Sequence, residues 1–493
     1  MTGQEAHTWG NAHDDAAARA LCETALGAAS GPGVEYADVR LVECEETRLY
    51  GRHGGARDER SELNMGVGVR VLREGVWGFA AAPLGDEADV RAVAGRAVAA
   101  ARAAAFAGAE RVALPPRPPS SGRHTTEVTT DPFSFPGRYG LLDQALAAAG
   151  APEKVVSAEV GLNAKRQHRH FADSEGSRQH QHLVESGAMV LVFAADEHDV
   201  QRRSYPNSFH GNTAAAGWEY VESLRLAEQA ARVGEEAVAL LTAPVAPSGT
   251  ADLVIGPAQM ALQIHESCGH ALELDRILGD ESNFAGTSFI TPDALGALRY
   301  GSPAVNVTAD PSVPGTRGSF GWDDEGTPAA RRELIREGVV VDFLSSRDSA
   351  ARLGLTPIGA ARADGWAYPP VCFATNVFLE PGSGSLDELL DRLGDGYYVD
   401  DNRSWSIDER RWNFQFGTEV AYEVRRGRRG RLLKNLSYGG VTPRFWGSVE
   451  AVAGPEEFRA FGMPCGKGEP KQWGFLGHGA SPALVRGVRI GVA

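Results

Sequence analysis

The chain has 493 residues, of which 43% are hydrophobic and 23% charged, a composition typical of a globular protein with two or three domains. Its net charge of −15 disfavours a phosphate-binding surface, so we expect no nucleic-acid partner. The five cysteines are scattered, the N-terminal sequence lacks the pattern of a signal peptide, and no apolar run approaches the roughly 20 residues of a membrane span. We therefore expect a cytoplasmic protein with no membrane partner.

The first half of the chain is predicted to contain a helix–strands–helix unit twice. In the first unit, the predicted helices are 13–30 and 86–107 and the predicted strands are 36–50 and 65–81. In the second unit, the predicted helices are 138–149 and 216–242 and the predicted strands are 153–172 and 178–196. This repeated order indicates an internal duplication. Between the units, a Pro/Ser-rich passage at 114–137 cannot continue a helix or a strand, and we interpret it as part of a connector near 110–137.

The second half is predicted to be a β-rich domain. Pro and small residues at 243–249 mark a boundary, which divides the chain into an N-terminal domain over 1–242 and a C-terminal domain over 243–493. Beyond it, short strand-like runs alternate with Gly/Pro turns, and a helix is predicted around 257–276. The expected fold class is therefore α+β, with an N-terminal α/β half and a β-rich C-terminal domain that carries this helix.

The segment HESCGH at 265–270 has two histidines five positions apart, with a glutamate after the first. In the H-E-x-x-H pattern of zinc proteases the histidines lie about 40° apart around an α-helix, whereas a spacing of five puts them about 140° apart. One extra residue in the turn, a π-bulge, restores a shared face, and Gly269 is expected to absorb the distortion. We therefore predict an irregular turn at 266–270. The alternative is two core histidines satisfied by backbone carbonyls.

A catalytic zinc usually has three protein ligands, so a third is expected beside His265 and His270. The candidates are Cys268, Asp275, Cys465 and His478. Cys465 lies in a Gly/Pro-rich loop too polar for a core cysteine, and Lys467 nearby would favour the thiolate that a metal requires. We therefore prefer Cys465, with Cys268 as the second choice. Glu266 would be the general base that activates water at the metal.

A second group of histidines lies at 168–170 (HRH) and 180–182 (HQH), on either side of a predicted turn. Alternate residues of a strand share a face, so a second metal site is one interpretation. Because arginines and glutamines surround these histidines, we prefer the alternative, a polar outer face of a hairpin.

Two motifs, HESCGHALELD at 265–275 and CGKG at 465–468, occur together with several shorter ones. The shorter motifs are YADVRL (36–41), GVGVRV (66–71), DSEG (173–176), DDEGTP (323–328), GLTPIGAAR (354–362) and ATNVFLEPG (374–382). Together they resemble the TldD/TldE (PmbA) family, specifically its TldD-type zinc metallopeptidase subunit. The resemblance extends from about residue 36 to the end of the chain.

This resemblance implies a Zn²⁺ site formed by His265, His270 and Cys465, with Glu266 as the catalytic glutamate. It implies hydrolysis of peptide bonds in unfolded or modified peptides. It also implies a heterodimer with a TldE/PmbA-like paralogue or a homodimer, and both remain open. The family's TldE-type subunit lacks these residues, so their presence here favours the catalytic type. The alternative functions are a non-catalytic peptide-binding subunit of the TldE type and a zinc hydrolase with a non-peptide substrate.

Overall fold

The computed structural model describes residues 15–208 and 210–491. In the first half the helices are α1 (Asp15–Ala29), α2 (Glu87–Phe106), α3 (Arg138–Ala149), α4 (Trp218–Ser223) and α5 (Leu226–Thr242). The strands are β1 (Val34–Arg52), β2 (Arg57–Arg73), β3 (Val76–Pro83), β4 (Ser121–Thr125), β5 (Val155–Asp173), β6 (Arg178–Ala195), β7 (Val200–Tyr205) and β8 (Asn212–Ala214). They form one eight-stranded sheet with the order β3-β2-β1-β5-β6-β4, and β7 and β8 also pair with β6.

The two predicted units meet in the middle of this sheet, where β1 pairs antiparallel with β5. Each unit has its own apolar core. In the first, Ala25 of α1 and Val93 of α2 pack with Val39 of β1, and in the second, Leu142 of α3 and Val233 of α5 pack together. The helix–strands–helix order thus occurs twice, as the sequence predicts.

Two details of the first half differ from the prediction. The helix expected at 216–242 is two helices, because Arg225 between α4 and α5 takes a left-handed conformation with a φ of 48°. The connector near 110–137 contains β4, which pairs in parallel with β6. A short edge strand is compatible with neighbouring prolines, because they lie outside its hydrogen-bonded residues.

In the second half the α-helices are α6 (Pro257–Ile264), α7 (Leu274–Leu278), α8 (Ser282–Ala285), α9 (Arg347–Leu353), α10 (Leu386–Leu393) and α11 (Thr442–Gly447). The strands are β9 (Gly249–Ile255), β10 (Val307–Ala309), β11 (Arg332–Arg336), β12 (Val339–Val340), β13 (Ala361–Arg362), β14 (Val371–Cys372), β15 (Asn376–Leu379), β16 (Gly396–Ile407), β17 (Asn413–Arg425), β18 (Arg428–Leu433), β19 (Ser437–Val441), β20 (Val449–Val452), β21 (Arg459–Lys467), β22 (Gln472–Ala480) and β23 (Ala483–Ile490). The predicted α+β fold class with a β-rich second half is confirmed.

The strands of the second half form three sheets, and the two larger sheets pack against α6. The six-stranded sheet has the order β12-β11-β10-β15-β22-β21, the seven-stranded sheet β16-β9-β23-β19-β17-β18 with β20 on β23, and β13 pairs with β14. Met260 and Ile264 of α6 are buried in one apolar core with Val377 of β15 and Phe416 of β17. The helix that carries HESCGH is therefore held between the two larger sheets. No helix in the described ranges has the length and apolar character to cross a membrane.

An arginine-rich face of the N-terminal sheet contacts an acidic turn of the second half. Arg70 of β2 donates to Glu325 at 2.7 Å, and Arg169 of β5 donates to Asp324 at 3.0 Å. The carboxylate of Asp323 accepts the backbone N–H of Glu325, which fixes the turn. All five residues are buried. The DDEGTP motif therefore lies where the two halves of the molecule meet.

The β5–β6 hairpin carries four histidines on one face, and the prediction that this face is solvated is wrong. The four are His168, His170, His180 and His182. The helix α1 covers this face, and three of the four side chains are buried. The opposite face is covered too, since Gln181 donates to the Trp322 carbonyl. Strand alternation identifies which side chains share a face, but it does not tell what packs against that face.

Candidate metal centre

The HESCGH segment forms a π-helical turn over His265–Gly269, followed by a 3₁₀ turn over His270–Leu272. The His270 N–H donates to the His265 carbonyl five residues earlier, which is the π-helical hydrogen bond. As a result, the two imidazole rings lie side by side with their centroids 4.4 Å apart. The predicted irregular turn is confirmed.

The special role predicted for Gly269 is wrong. Its φ of −51° and ψ of −67° lie in the right-handed helical region, which every L-residue adopts. A Cβ at this position would meet its nearest neighbour, in Ala374, at 3.5 Å, which is an ordinary contact. The extra residue is accommodated by the shift from i+4 to i+5 hydrogen bonding rather than by a conformation reserved for glycine.

The strand β21 places Cys465 beside the two histidines. The Cys465 Sγ lies 3.4 Å from His270 Nε2, and one ligand atom from each of His265, His270 and Cys465 lies within 4.8 Å of the others. Two imidazoles and one thiolate are a donor set that suits zinc. We call these three residues and Glu266 the HESCGH centre. The side chains of His265, His270 and Cys465 fit a metal ion by donor type, by proximity and by burial.

Hydrogen bonds hold each imidazole in one orientation. The Val377 carbonyl can only accept, so His478 Nδ1, 3.2 Å away, carries a proton, and His478 Nε2 then accepts from His265 Nδ1 at 2.8 Å. The His270 Nδ1 donates to Glu273 at 3.0 Å. The His265 and His270 rings therefore each have Nε2 available for a metal ion, as in carboxylate–histidine–metal arrangements.

Burial keeps these histidines neutral, which is the form that binds a metal. It lowers the pKa of His270 to about 3 and that of His478 to about 4. Burial also moves the pKa of His265 well below its ordinary value. Near pH 7 all three rings offer an uncharged nitrogen.

Lys467 has a different role from the one predicted. Its buried ammonium contacts Glu273 at 2.8 Å, Asp275 at 2.9 Å and Glu281 at 3.3 Å. These carboxylates raise its pKa against the effect of burial. Lys467 therefore does not stabilise a Cys465 thiolate directly. It fixes Glu273, which in turn orients His270.

The other candidates for the third ligand lie elsewhere. His478 is behind His265 as its hydrogen-bond acceptor, and Asp275 is paired with Lys467. Cys268 is fully buried in the apolar core of the second half, whereas the thiol that lies close to both histidines is that of Cys465.

Glu266 is buried against an arginine that the sequence did not indicate. Arg411, between β16 and β17, donates to Glu266 Oε2 at 2.8 Å. Burial raises the pKa of Glu266, and the guanidinium of Arg411 opposes this shift. No local sequence pattern around Arg411 predicts this contact. Glu273, in contrast, could have been predicted as the partner of His270, because it is a carboxylate one helical turn later.

A cavity of about 710 Å³ does not belong to the HESCGH centre. It is lined by both halves of the molecule, and on β21 and β22 by Pro464, Trp473 and Phe475. Pro464 and Phe475 are cross-strand partners, as are Cys465 and Gly474, so the two pairs point to opposite faces of the hairpin. The cavity and Cys465 therefore lie on opposite sides of this hairpin.

Sequence comparisons give the family of the chain. The family model described as PmbA/TldA metallopeptidase C-terminal domain matches residues 248–491, and the one described as PmbA/TldA metallopeptidase domain 1 matches residues 37–101. A metalloprotease of Methanothermobacter thermautotrophicus is 30% identical over 462 residues, 93% of this chain and 96% of that protein. A zinc metalloprotease TldD homolog of Saccharolobus solfataricus is 26% identical over 220 residues, 44% of this chain and 46% of that protein.

The fold is similar to that of solved structures. TldE from Thermococcus kodakarensis matches with a TM-score of 0.73 and 14% identity, over 96% of this chain and 100% of that chain. A crystal structure from Thermotoga maritima matches with a TM-score of 0.74 and 17% identity, over 96% and 99%. On the sequence matches and the shared fold, this chain belongs to the PmbA/TldD metallopeptidase family.

Proposed function

We propose that this protein is a zinc-dependent metallopeptidase, with His265, His270 and Cys465 as the zinc ligands and Glu266 as the general base. The observation that carries the proposal is the approach of one ligand atom from each of the three residues to within 4.8 Å, with Glu266 next to His265 in the chain. Membership of a metallopeptidase family and the name of the Saccharolobus relative, a zinc metalloprotease, support the same chemistry.

The residues in and around the HESCGH centre have separate roles in peptide hydrolysis. When bound, Zn²⁺ supplies a Lewis acid that acidifies water and polarises the scissile carbonyl. Glu266 accepts the proton of the attacking water and delivers it to the leaving amine. Arg411, 2.8 Å from Glu266, holds this carboxylate in place. Glu273 and His478 keep the two imidazoles in the orientation that a metal needs.

We propose unfolded or modified peptides as the substrates. An extended peptide can pair its main chain with a strand edge, which gives affinity without strict sequence selection. A partner that encloses the centre, either a TldE-like paralogue or a second copy of the chain, would exclude folded proteins. The likeness to the fold of TldE supports a paralogue of the same shape. In addition, we propose residues 1–242 and 243–493 as two domains.

The test is zinc content and peptide hydrolysis in three variants beside the wild type. Glu266→Gln should keep its zinc and lose hydrolysis by about 10²–10⁴-fold, because only the proton transfer is removed. Cys465→Ala should lose both zinc and activity. Cys268→Ala is the matched control, because it removes a neighbouring buried thiol outside the ligand group, and it should keep both.

Two outcomes would overturn parts of the proposal. Full zinc retention in Cys465→Ala, with loss in Cys268→Ala, would reverse the choice of ligand. A wild-type protein that binds zinc and peptide without cleaving any peptide, alone or with a TldE-like partner, would favour the peptide-binding subunit. Substrate class is tested by comparing an unstructured peptide with the same sequence inside a folded domain, and equal rates would contradict enclosure.

A further inference from the structure

Four imidazoles lie in two stacked pairs on the face of the β5–β6 hairpin beneath α1. The strand register sets His168 opposite His182 and His170 opposite His180. The ring centroids are 4.3 Å apart in the first pair and 4.2 Å in the second, and the rings are nearly parallel in both. Neither the peptidase chemistry nor the contact between the two halves of the molecule uses this cluster.

The first residue of α1 adds a carboxylate to this cluster. Asp15 Oδ1 lies 3.0 Å from His180 Nδ1, while Asp15 Oδ2 is bound by Arg123. One ligand atom from each of Asp15, His170 and His180 lies within 4.8 Å of the others. His180 is only 8% exposed, whereas the side chain of Asp15 is 25% exposed, so the group is buried but open to solvent on one side.

The contact between Asp15 and His180 is not a good hydrogen bond. Within the described ranges, neither Asp15 Oδ1 nor His180 Nδ1 has a hydrogen-bond partner, although the two atoms are close together. On its other side, His180 Nε2 lies 3.4 Å from His168 Nδ1. If the single proton of a neutral His180 is on Nε2, the Nδ1 lone pair faces a carboxylate oxygen. Two facing acceptors in a buried place are unfavourable unless a cation lies between them.

The two facing atoms, Asp15 Oδ1 and His180 Nδ1, are 3.0 Å apart. Arg123 engages the other oxygen of Asp15 and leaves Oδ1 available. A cation from solution that binds both atoms would satisfy them together.

We propose that Asp15, His170 and His180 form a second metal site, separate from the HESCGH centre. Two imidazole nitrogens and one carboxylate oxygen suit a first-row divalent cation such as Co²⁺, Ni²⁺ or Zn²⁺. An ion held there would connect α1 to the hairpin, so the site has a structural role. We call these three residues the hairpin histidine site.

The test counts bound Co²⁺ after equilibrium dialysis of the full chain against Co²⁺ alone. The wild type should bind about two ions, and His270→Ala/Cys465→Ala, which removes the HESCGH centre, should keep about one. Adding His170→Gln/His180→Gln to that variant should remove the last ion. Because the decisive measurement is made without the HESCGH centre, it is independent of peptidase activity and of its zinc.

Two further variants separate ligand loss from damage to the fold. Asp15→Asn changes only the exposed end of the site, and it should weaken Co²⁺ binding at least about tenfold while the circular dichroism spectrum stays unchanged. His182→Gln lies on the same strand and face as His180 but outside the ligand group, and it should keep the ion. The proposal is wrong if His270→Ala/Cys465→Ala binds no Co²⁺ above background. It is also wrong if Asp15→Asn binds Co²⁺ as the parent does, or if His182→Gln loses the ion as His170→Gln/His180→Gln does.

Discussion

Replacing Lys467 by methionine tests whether its ammonium stabilises the HESCGH centre through Glu273. Methionine keeps much of the length and volume of the side chain but removes the charge. The ammonium lies within 3.3 Å of three carboxylates, those of Glu273, Asp275 and Glu281. Without it, the contacts of Arg276 with Glu273 and Glu281 remain.

The size of the effect follows from burial. Lys467, Glu273 and Glu281 are buried, so their charges are poorly compensated by water. Removing one member of a buried ion pair costs about 3–5 kcal/mol, because the other member is left without compensation. We expect Lys467→Met to lower the free energy of unfolding by that amount. Because Glu273 orients His270, zinc affinity should also fall by about 10–100-fold.

The assay is equilibrium unfolding in urea, followed by tryptophan fluorescence in the presence of a chelator, so that stability is measured without metal. Lys471→Met is the matched control, since this lysine is exposed in the turn between β21 and β22, and its effect should be within about 0.5 kcal/mol. In Lys467→Met/Asp275→Asn, part of the loss should be recovered, because one unpaired charge is removed. A loss in Lys467→Met no larger than in the control would refute the reasoning.

Three other perturbations address the same centre. In His478→Asn, zinc affinity measured by competition with a chelator should fall about 10–100-fold, and an unchanged affinity would show that the ring behind the first ligand does not orient it. Arg411→Met should lower the free energy of unfolding by about 3 kcal/mol, because Glu266 loses its partner. Arg411→Met/Glu266→Gln should recover part of this loss, which a simple packing defect would not allow. Zinc at about 100 times its Kd should stabilise the wild type by about 2.7 kcal/mol and leave Cys465→Ala unchanged, so equal stabilisation of both would exclude this thiol as a ligand.

The local part of the HESCGH centre was predictable because helical geometry decides it. A spacing of five between His265 and His270 requires an i+5 turn if the rings are to share a face, and such a turn is present. The preference for Cys465 rested on the polarity of its loop and on the nearby Lys467, whose ammonium contacts Glu273 and Asp275 instead. The resemblance to a family implied the same cysteine. Arg411 and His478 could not be predicted as partners of the histidine turn. Arg411 lies 145 residues from Glu266 and His478 lies 213 residues from His265, so both contacts depend on strand pairing far away in the chain.

The fold was predictable as far as periodicity and turn residues allowed. The alternating and Ala-rich segments gave the helix–strands–helix order and the β-rich second half. The break at Arg225 was missed, because a left-handed arginine has no composition signal of its own. The environment of His168 and His180 was misjudged for a related reason. Polar residues on both faces of a hairpin suggest solvent, whereas here α1 covers one face and the second half of the chain covers the other.

The distance along the chain between the members of the HESCGH centre has a consequence during synthesis. Cys465 follows His270 by 195 residues, which a ribosome adds in about 10–40 s at roughly 5–20 residues per second. The strand β9, which leads into α6, pairs with β23 and therefore also requires residues 483–490. During this interval the nascent chain carries both histidines without their thiol partner. Metal binding by all three residues, as proposed, consequently requires synthesis at least as far as Cys465.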